Sequence, residues 1–305
     1  MIDDGVWRTI AGRRVFIKEG QSLSDAMKNS GKFKTQKNDI QSKLKKQFEK
    51  NSYEEYIEKL KDKNVEVDKE FIDKFDKELG KEQLKAINDI IDNDKVIQNY
   101  LKEHPLKVTA EPRLFDDACY GHVPQDPNMH QITYNSRLNF KDTVEKTKEL
   151  RNNGKWMSEK YSNVSNEQYI TYHEMGHLKE QIAVQRYLRE NPKFKEKYMN
   201  KLNKAKSQTE YDTITKNMHN DTLYHIKEEK LIPIQEKNGT ITKAGGRQGT
   251  TAYGDYGTNE MSKYGSKNEM NEFFSESNII YSKPTQLGKN TQLYKDFSDL
   301  MKEVY

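Results

Sequence analysis

In the stretch "YITYHEMGHLKEQ", His173 and His177 stand four residues apart, and Glu174 directly follows the first. Residues four apart on a helix lie on one face, about 6 Å from each other, so both imidazoles can point at one metal ion. Glu174 is turned about 100° further round the axis, where its carboxylate can approach a metal-bound water without displacing it. Zinc lowers the pKa of such a water to about 7, and a glutamate so placed can take the proton. The spacing therefore suits zinc-assisted hydrolysis. Chance alone produces His-Glu-x-x-His in roughly one chain in a hundred of this length, so the surroundings have to support it.

Ser165-Asn166-Glu167-Gln168 fits a capping box for a helix that runs to about Glu190, ahead of Asn191 and Pro192. Ile170 and Tyr172 precede the motif, and Gly176 between the histidines leaves room for another backbone. Two histidines leave a zinc ion short, because catalytic sites present three protein ligands and a water. A third histidine on the same helix is excluded, and the metzincin pattern with it: Glu180 stands where that pattern needs glycine and Ala183 where it needs histidine. A glutamate from a later helix is the other solution. "SKYGSKNEMNEFFSESNIIY" offers Glu272 and Glu276 on one helix face, Asn268 as a cap, and Phe273 and Phe274 directed into a core.

His173-Glu174-x-x-His177, a tyrosine in a Gly-rich loop and then "NEFFSE" resemble the zincin-like metallopeptidases that include the catalytic domain of anthrax lethal factor, a pattern shared by many phage and mobile-element proteins. The resemblance implies His173, His177 and Glu272 as zinc ligands and Glu174 as general base. It implies Glu276 as a carboxylate behind the ligands, orienting a ligand histidine through its free ring N–H. It also implies a loop tyrosine that donates to the tetrahedral oxyanion. Tyr264 matches best, one residue further from Glu272 than the pattern expects, with Tyr256 and Tyr253 as rivals. Ser275 replaces the pattern's alanine. The resemblance spans about residues 105 to 305.

The elements that must carry these groups follow from hydrophobic periodicity. "LKVTAEPRLF" and "MHQITYN" have strand character. The fold class of lethal-factor-like zincins suggests that the second, with His130 as an ordinary strand residue, lines a peptide-binding cleft by β-augmentation. "FKDTVEKTKELRNNG" reads as a helix ending at Gly154. "LIPIQEKNGTITKAGG" reads as a hairpin turning at Asn238-Gly239. Residues 245 to 268 read as a long loop, and 269 to 281 and 291 to 304 as the last helices. His219 and His225 read as solvated.

Upstream, residues 31 to 104 hold 17 lysines balanced by 17 acidic residues and no arginine or proline. Apolar positions at helical spacing there predict three or four amphipathic helices, with Gly80 as a C-cap. Residues 7 to 17, "WRTIAGRRVFI", predict a small β-hairpin. This N-terminal run resembles a short segment that recurs in bacteriophage and prophage proteins, including minor head and structural components. The expected organisation is α+β: an N-terminal hairpin segment (1–33), a charged helical region (34–104) and a zincin-like metallopeptidase domain (105–305).

Composition bounds the alternatives. Hydrophobic and charged residues each make up 33% of 305 residues, and the net charge is +4. So near a balance argues against a dedicated nucleic-acid binder. No apolar run reaches the length of a membrane span. The single cysteine, Cys119, permits neither an intrachain disulfide nor a Cys-x-x-Cys metal pair. The first twenty residues contain no apolar signal core, so cytoplasmic synthesis is expected, with virion association or release left open. A zinc-dependent peptidase acting on a protein or peptide is the function expected. The alternatives are a non-enzymatic phage structural or interaction protein that keeps a zinc-binding fold and docks on phage structural proteins, and a toxin-like effector delivered without a signal.

Overall fold

The computed structural model describes residues 5–10, 13–18, 53–123, 126–241, 256, 260–267 and 270–305. The chain divides into two compact units, residues 1–55 and 56–305. In the first, β1 (Gly5–Ile10) pairs antiparallel with β2 (Arg13–Lys18), bringing Trp7 opposite Phe16. This is the hairpin that the two short β-branched and aromatic runs on either side of Ala11-Gly12 predict.

The second unit is α+β. After α1 (residues 53–61) come β3 (Val65–Val67), α2 (Lys69–Lys74), α3 (Lys77–Asn93), α4 (Lys95–Leu101), β4 (Leu106–Glu111), β5 (Ala118–Val123) and β6 (Asp126–Asn135). The sheet order is β3-β4-β6-β5, with β5 antiparallel to β6 and the other neighbours parallel. Parallel β3 and β4 need a crossover, and α2 to α4 are that crossover. The division expected at residue 104/105 would cut through this β-α-β connection; the packing divides the chain at 55/56 instead. Asp68, Asp76 and Asp94 cap α2, α3 and α4 by accepting backbone N–H groups, each worth about 1 kcal/mol. Asp76 starts a new helix at the point where Gly80 was expected to end one, and Gly80 lies buried in the first turns of α3.

Downstream lie α5 (Phe140–Asn152), α6 (Tyr169–Glu190), α7 (Pro192–Leu202), α8 (Gln208–Ile226), a π-helical turn (Lys227–Leu231), α9 (Ile232–Asn238), α10 (Lys263–Lys267), α11 (Met270–Ser282), α12 (Gln286–Lys289) and α13 (Gln292–Val304). The hairpin expected at Asn238-Gly239 is a helix end: Gly239 takes the left-handed conformation, φ 76°, as the cap of α9. An Asn-Gly pair serves a helix C-terminus as readily as a turn, and Leu231, Ile232 and Ile234 bury on a helical face. Most of the long loop expected over 245 to 268 lies outside the described residues. No helix among the described residues is long and apolar enough to cross a membrane.

Helix α6 runs through the core. Tyr134 of β6 hydrogen-bonds Thr171 at 2.6 Å, Thr171 donates to Gln83 of α3, and Gln83 donates to the Glu167 carbonyl. These buried polar groups satisfy one another and tie the sheet, α3 and α6 together. On the other side, Asn278 of α11 donates to the Tyr172 carbonyl at 2.6 Å. Phe273 and Phe274 pack against Phe297 of α13, with ring centroids 5.9 and 5.7 Å away.

The strand expected to line a peptide cleft, β6, is an inner strand with both edges paired, so it has no free edge for augmentation. The edge is β5. His130 of β6 is fully buried, with its Nε2 2.8 Å from the Tyr100 hydroxyl and its Nδ1 2.5 Å from the Tyr120 hydroxyl. Burial, with His122 and His104 nearby, lowers its pKa to about 3. Between that value and the ordinary 6.5 the unfolded chain binds the extra proton, so stability falls as pH drops through this window. At pH 5 the cost is about 2 kcal/mol, set by a folded pKa of about 3 against 6.5 unfolded. Urea unfolding of His130→Gln should therefore lose less stability between pH 7 and pH 5 than the parent chain does. Parallel losses in the two proteins would contradict this.

Candidate metal centre

His173 and His177 project from the same face of α6, and Glu272 reaches them from the first turn of α11. One ligand atom from each of the three lies within 4.8 Å of the others. His173 Nε2 and a Glu272 oxygen are 3.4 Å apart. Two corners of a tetrahedron around zinc, with bonds of about 2.0–2.1 Å, are separated by roughly 3.3–3.4 Å. The helices can come this close because Gly176 sits at their crossing. A Cβ there would stand 2.5 Å from the Ser275 Cα.

Each imidazole is held from behind by a carboxylate, as metal-binding histidines generally are. His173 Nδ1 lies 3.1 Å from a Glu276 oxygen, and His177 Nδ1 lies 3.0 Å from Glu180 Oε2. A metal bound at each Nε2 would leave each Nδ1–H to donate to its carboxylate. Glu276 is fully buried. It also accepts from the Tyr169 hydroxyl at 3.0 Å and the Met157 N–H at 3.1 Å. Arg151, itself buried, keeps Met157 in place by donating to the carbonyls of Met157, Val164 and Ser162.

The electrostatics favour a cation. Burial works against a charged His173, but Glu272 and Glu276 accept its hydrogen bonds and Glu174 adds its charge, together raising its pKa to about 10. Against the same burial, the Glu180 hydrogen bond raises His177. Burial would raise Glu272 and Glu180 too, yet the histidines beside them hold both below the usual carboxylate range. Two imidazole nitrogens and one carboxylate oxygen form a donor set suited to zinc.

Glu174 is 6% exposed, and burial pushes its carboxyl up in spite of His173 and His177. Its carboxylate has no hydrogen-bond partner among the described residues and lines a cavity of about 1150 Å³. Edge strand β5, through Cys119 and Tyr120, forms one wall, and α8, through Thr215 and His219, forms another. Tyr264 lines the cavity as well, its ring 5.9 Å from that of His173. Burial and a hydrogen bond to Glu272 keep its phenol protonated. Tyr256 is elsewhere: its hydroxyl donates to Asp296 at 2.8 Å in the core. Tyr253 lies outside the described residues, as does Asn268.

Three expectations need correcting. Ser165-Gln168 does not cap α6: the helix starts at Tyr169 behind Gln168, without a side-chain cap. Gln168 donates to Glu82 and Asn166 accepts from Arg151, while the Ser165 hydroxyl is buried with no hydrogen-bond partner among the described residues. Ser275 is more than a small replacement for alanine, because its hydroxyl lies 3.3 Å from a Glu272 carboxylate oxygen. His219 is not simply solvated. Its Nε2 lies 2.6 Å from Glu180 Oε1. The sequence did carry a signal for Glu180, three residues after His177 and so on the same helix face.

No protein-family model matches the chain, and comparisons with curated proteins and with solved structures found no significant match.

Proposed function

We propose that the chain is a zinc-dependent peptidase of the zincin-like kind, with His173, His177 and Glu272 as the residues that hold the metal. One observation carries this reading: the three ligand atoms converge within 4.8 Å beside Glu174, whose buried carboxylate opens on the same cavity. Bound there, zinc supplies Lewis acidity, making a water acidic near neutral pH and polarising a carbonyl. The remaining work belongs to the chain. Glu174 takes a proton from the attacking water and delivers it to the amine that leaves as the peptide C–N bond breaks. The Tyr264 hydroxyl, kept protonated, donates to the oxyanion. Glu276 and Glu180 hold the two imidazoles so that each Nε2 faces inward. The outer edge of β5, unpaired among the described residues, runs along the cavity, which suits an extended peptide that adds to the sheet by backbone hydrogen bonds.

Metal removal tests the reading. The purified chain is expected to hold about one zinc ion, to cleave an unstructured protein, to lose cleavage after dialysis against a chelator, and to regain it with zinc. Zinc bound without any cleavage that depends on Glu174 would instead favour a structural phage component that keeps a zinc-binding fold. Absence of zinc binding would overturn both.

A further inference from the structure

The two ligand histidines are supported unequally. Behind His173, Glu276 has two further anchors, the Tyr169 hydroxyl and the Met157 N–H, both on elements next to α11 in the core. Behind His177, Glu180 sits on α6 itself and has one further hydrogen-bond partner among the described residues, His219 of α8. The Glu180 carboxylate is nearly inaccessible, with Oε2 on His177 Nδ1 at 3.0 Å and Oε1 on His219 Nε2 at 2.6 Å. A glutamate side chain turns about three torsions. A single hydrogen bond to His177 fixes neither its carboxylate plane nor its position, whereas a second, on the opposite oxygen, fixes both. His219 also lines the cavity.

We propose that His219 is a positioning residue of the metal centre, acting through Glu180 to hold the His177 ring in its ligating orientation. The proposal rests on the zinc-site reading above and deepens it, because it makes the α8 wall part of what builds the site. His219 touches neither metal nor substrate in this role. Its Nε2–H donates to Oε1, which leaves Oε2 free to accept from His177 Nδ1–H, and the His177 Nε2 lone pair is then presented to the cluster. Without His219, one buried oxygen of Glu180 loses its only partner on α8, and the carboxylate can swing toward cavity water and leave His177 Nδ1 unheld.

The test compares the full chain with His219→Ala and His219→Gln, since a glutamine side-chain amide can donate from nearly the place of the histidine Nε2. Zinc affinity is measured by competition with a chromophoric chelator at fixed pH, the cobalt(II)-loaded absorption spectrum is recorded, and the Tm of each metal-free protein is taken. His219→Ala should weaken zinc by about tenfold, in the range typical of lost supporting hydrogen bonds, and alter the cobalt spectrum. His219→Gln should stay within about threefold of the parent with an unchanged spectrum, and the metal-free Tm should hold in both. Unchanged affinity in His219→Ala overturns the proposal. So does a glutamine variant as weak as the alanine variant, or a loss of affinity matched by a lowered metal-free Tm, which would make His219 merely structural. A parent chain that binds no zinc would instead fail the peptidase reading, and this proposal with it.

Discussion

On the zinc-peptidase proposal, Glu174→Gln should lower peptide hydrolysis about a thousandfold while zinc binding and Tm are kept. General acid–base groups contribute roughly 10²–10⁴-fold, so a thousandfold loss corresponds to about 4 kcal/mol of transition-state stabilisation. Glutamine keeps the shape of the side chain but cannot take a proton from water. Stability should not fall, because burial already disfavours the ionised carboxylate, and a neutral amide removes that cost. The metal should stay, because Glu174 is not among the three converging ligand residues. Cleavage rate, zinc content and a thermal melt on one preparation separate the cases. Activity retained within tenfold would remove Glu174 from the mechanism. Activity and zinc lost together would mean that Glu174 holds the metal and does not move the proton.

Gly176→Ala should destabilise the protein and weaken the site, against the simplest expectation for a helical glycine. In an exposed helix interior, alanine gains about 1 kcal/mol over glycine. Here the added Cβ meets the Ser275 Cα at 2.5 Å and the Ser275 carbonyl oxygen at 3.1 Å. Both atoms belong to the backbone of α11, so no side chain can rotate away and the helix itself must move. Overpacking of this kind costs typically 1–3 kcal/mol, which at this chain length lowers Tm by roughly 2–5 °C. Because α11 carries Glu272 and Glu276, its displacement draws one ligand and one supporting carboxylate away from His173. A misplacement of about 1 Å can cost 10²-fold in rate, and zinc affinity should fall alongside. A melt and a chelator competition check both, and a Tm at or above the parent value would rule out the close approach.

The two predictions separate what could be read locally from what could not. The position of Glu174 on the helix relative to His173 and His177 was legible, because offsets along a helix are the same in any fold. Gly176 could be marked as a place where a backbone comes close, but the backbone that fills it, at Ser275, is a hundred residues away. The first hairpin, the strands at 106–111 and 126–135, and the last two long helices were also legible, since each shows its own hydrophobic period. The turn at Asn238-Gly239 and the cap at Ser165 were misread because short polar signals are ambiguous. The same residues can end a helix, turn a hairpin or bind a distant partner, and packing chooses among them.

By itself the sequence determined a helix bearing two imidazoles and a glutamate at metal-site spacing, and a second helix with two acids on one face. Helical geometry repeats every 3.6 residues whatever surrounds it, so these offsets need no partner. Tertiary structure alone decided that Glu276 lies behind His173 and that Glu180, bridged to His219, lies behind His177. It also decided that β6 is an inner strand with β5 outside it, and that residues 69 to 101 form the crossover of one sheet. Each of these depends on how α6, α8, α11 and the strands pack together. Such contacts join residues far apart in the chain and leave no period in it to read.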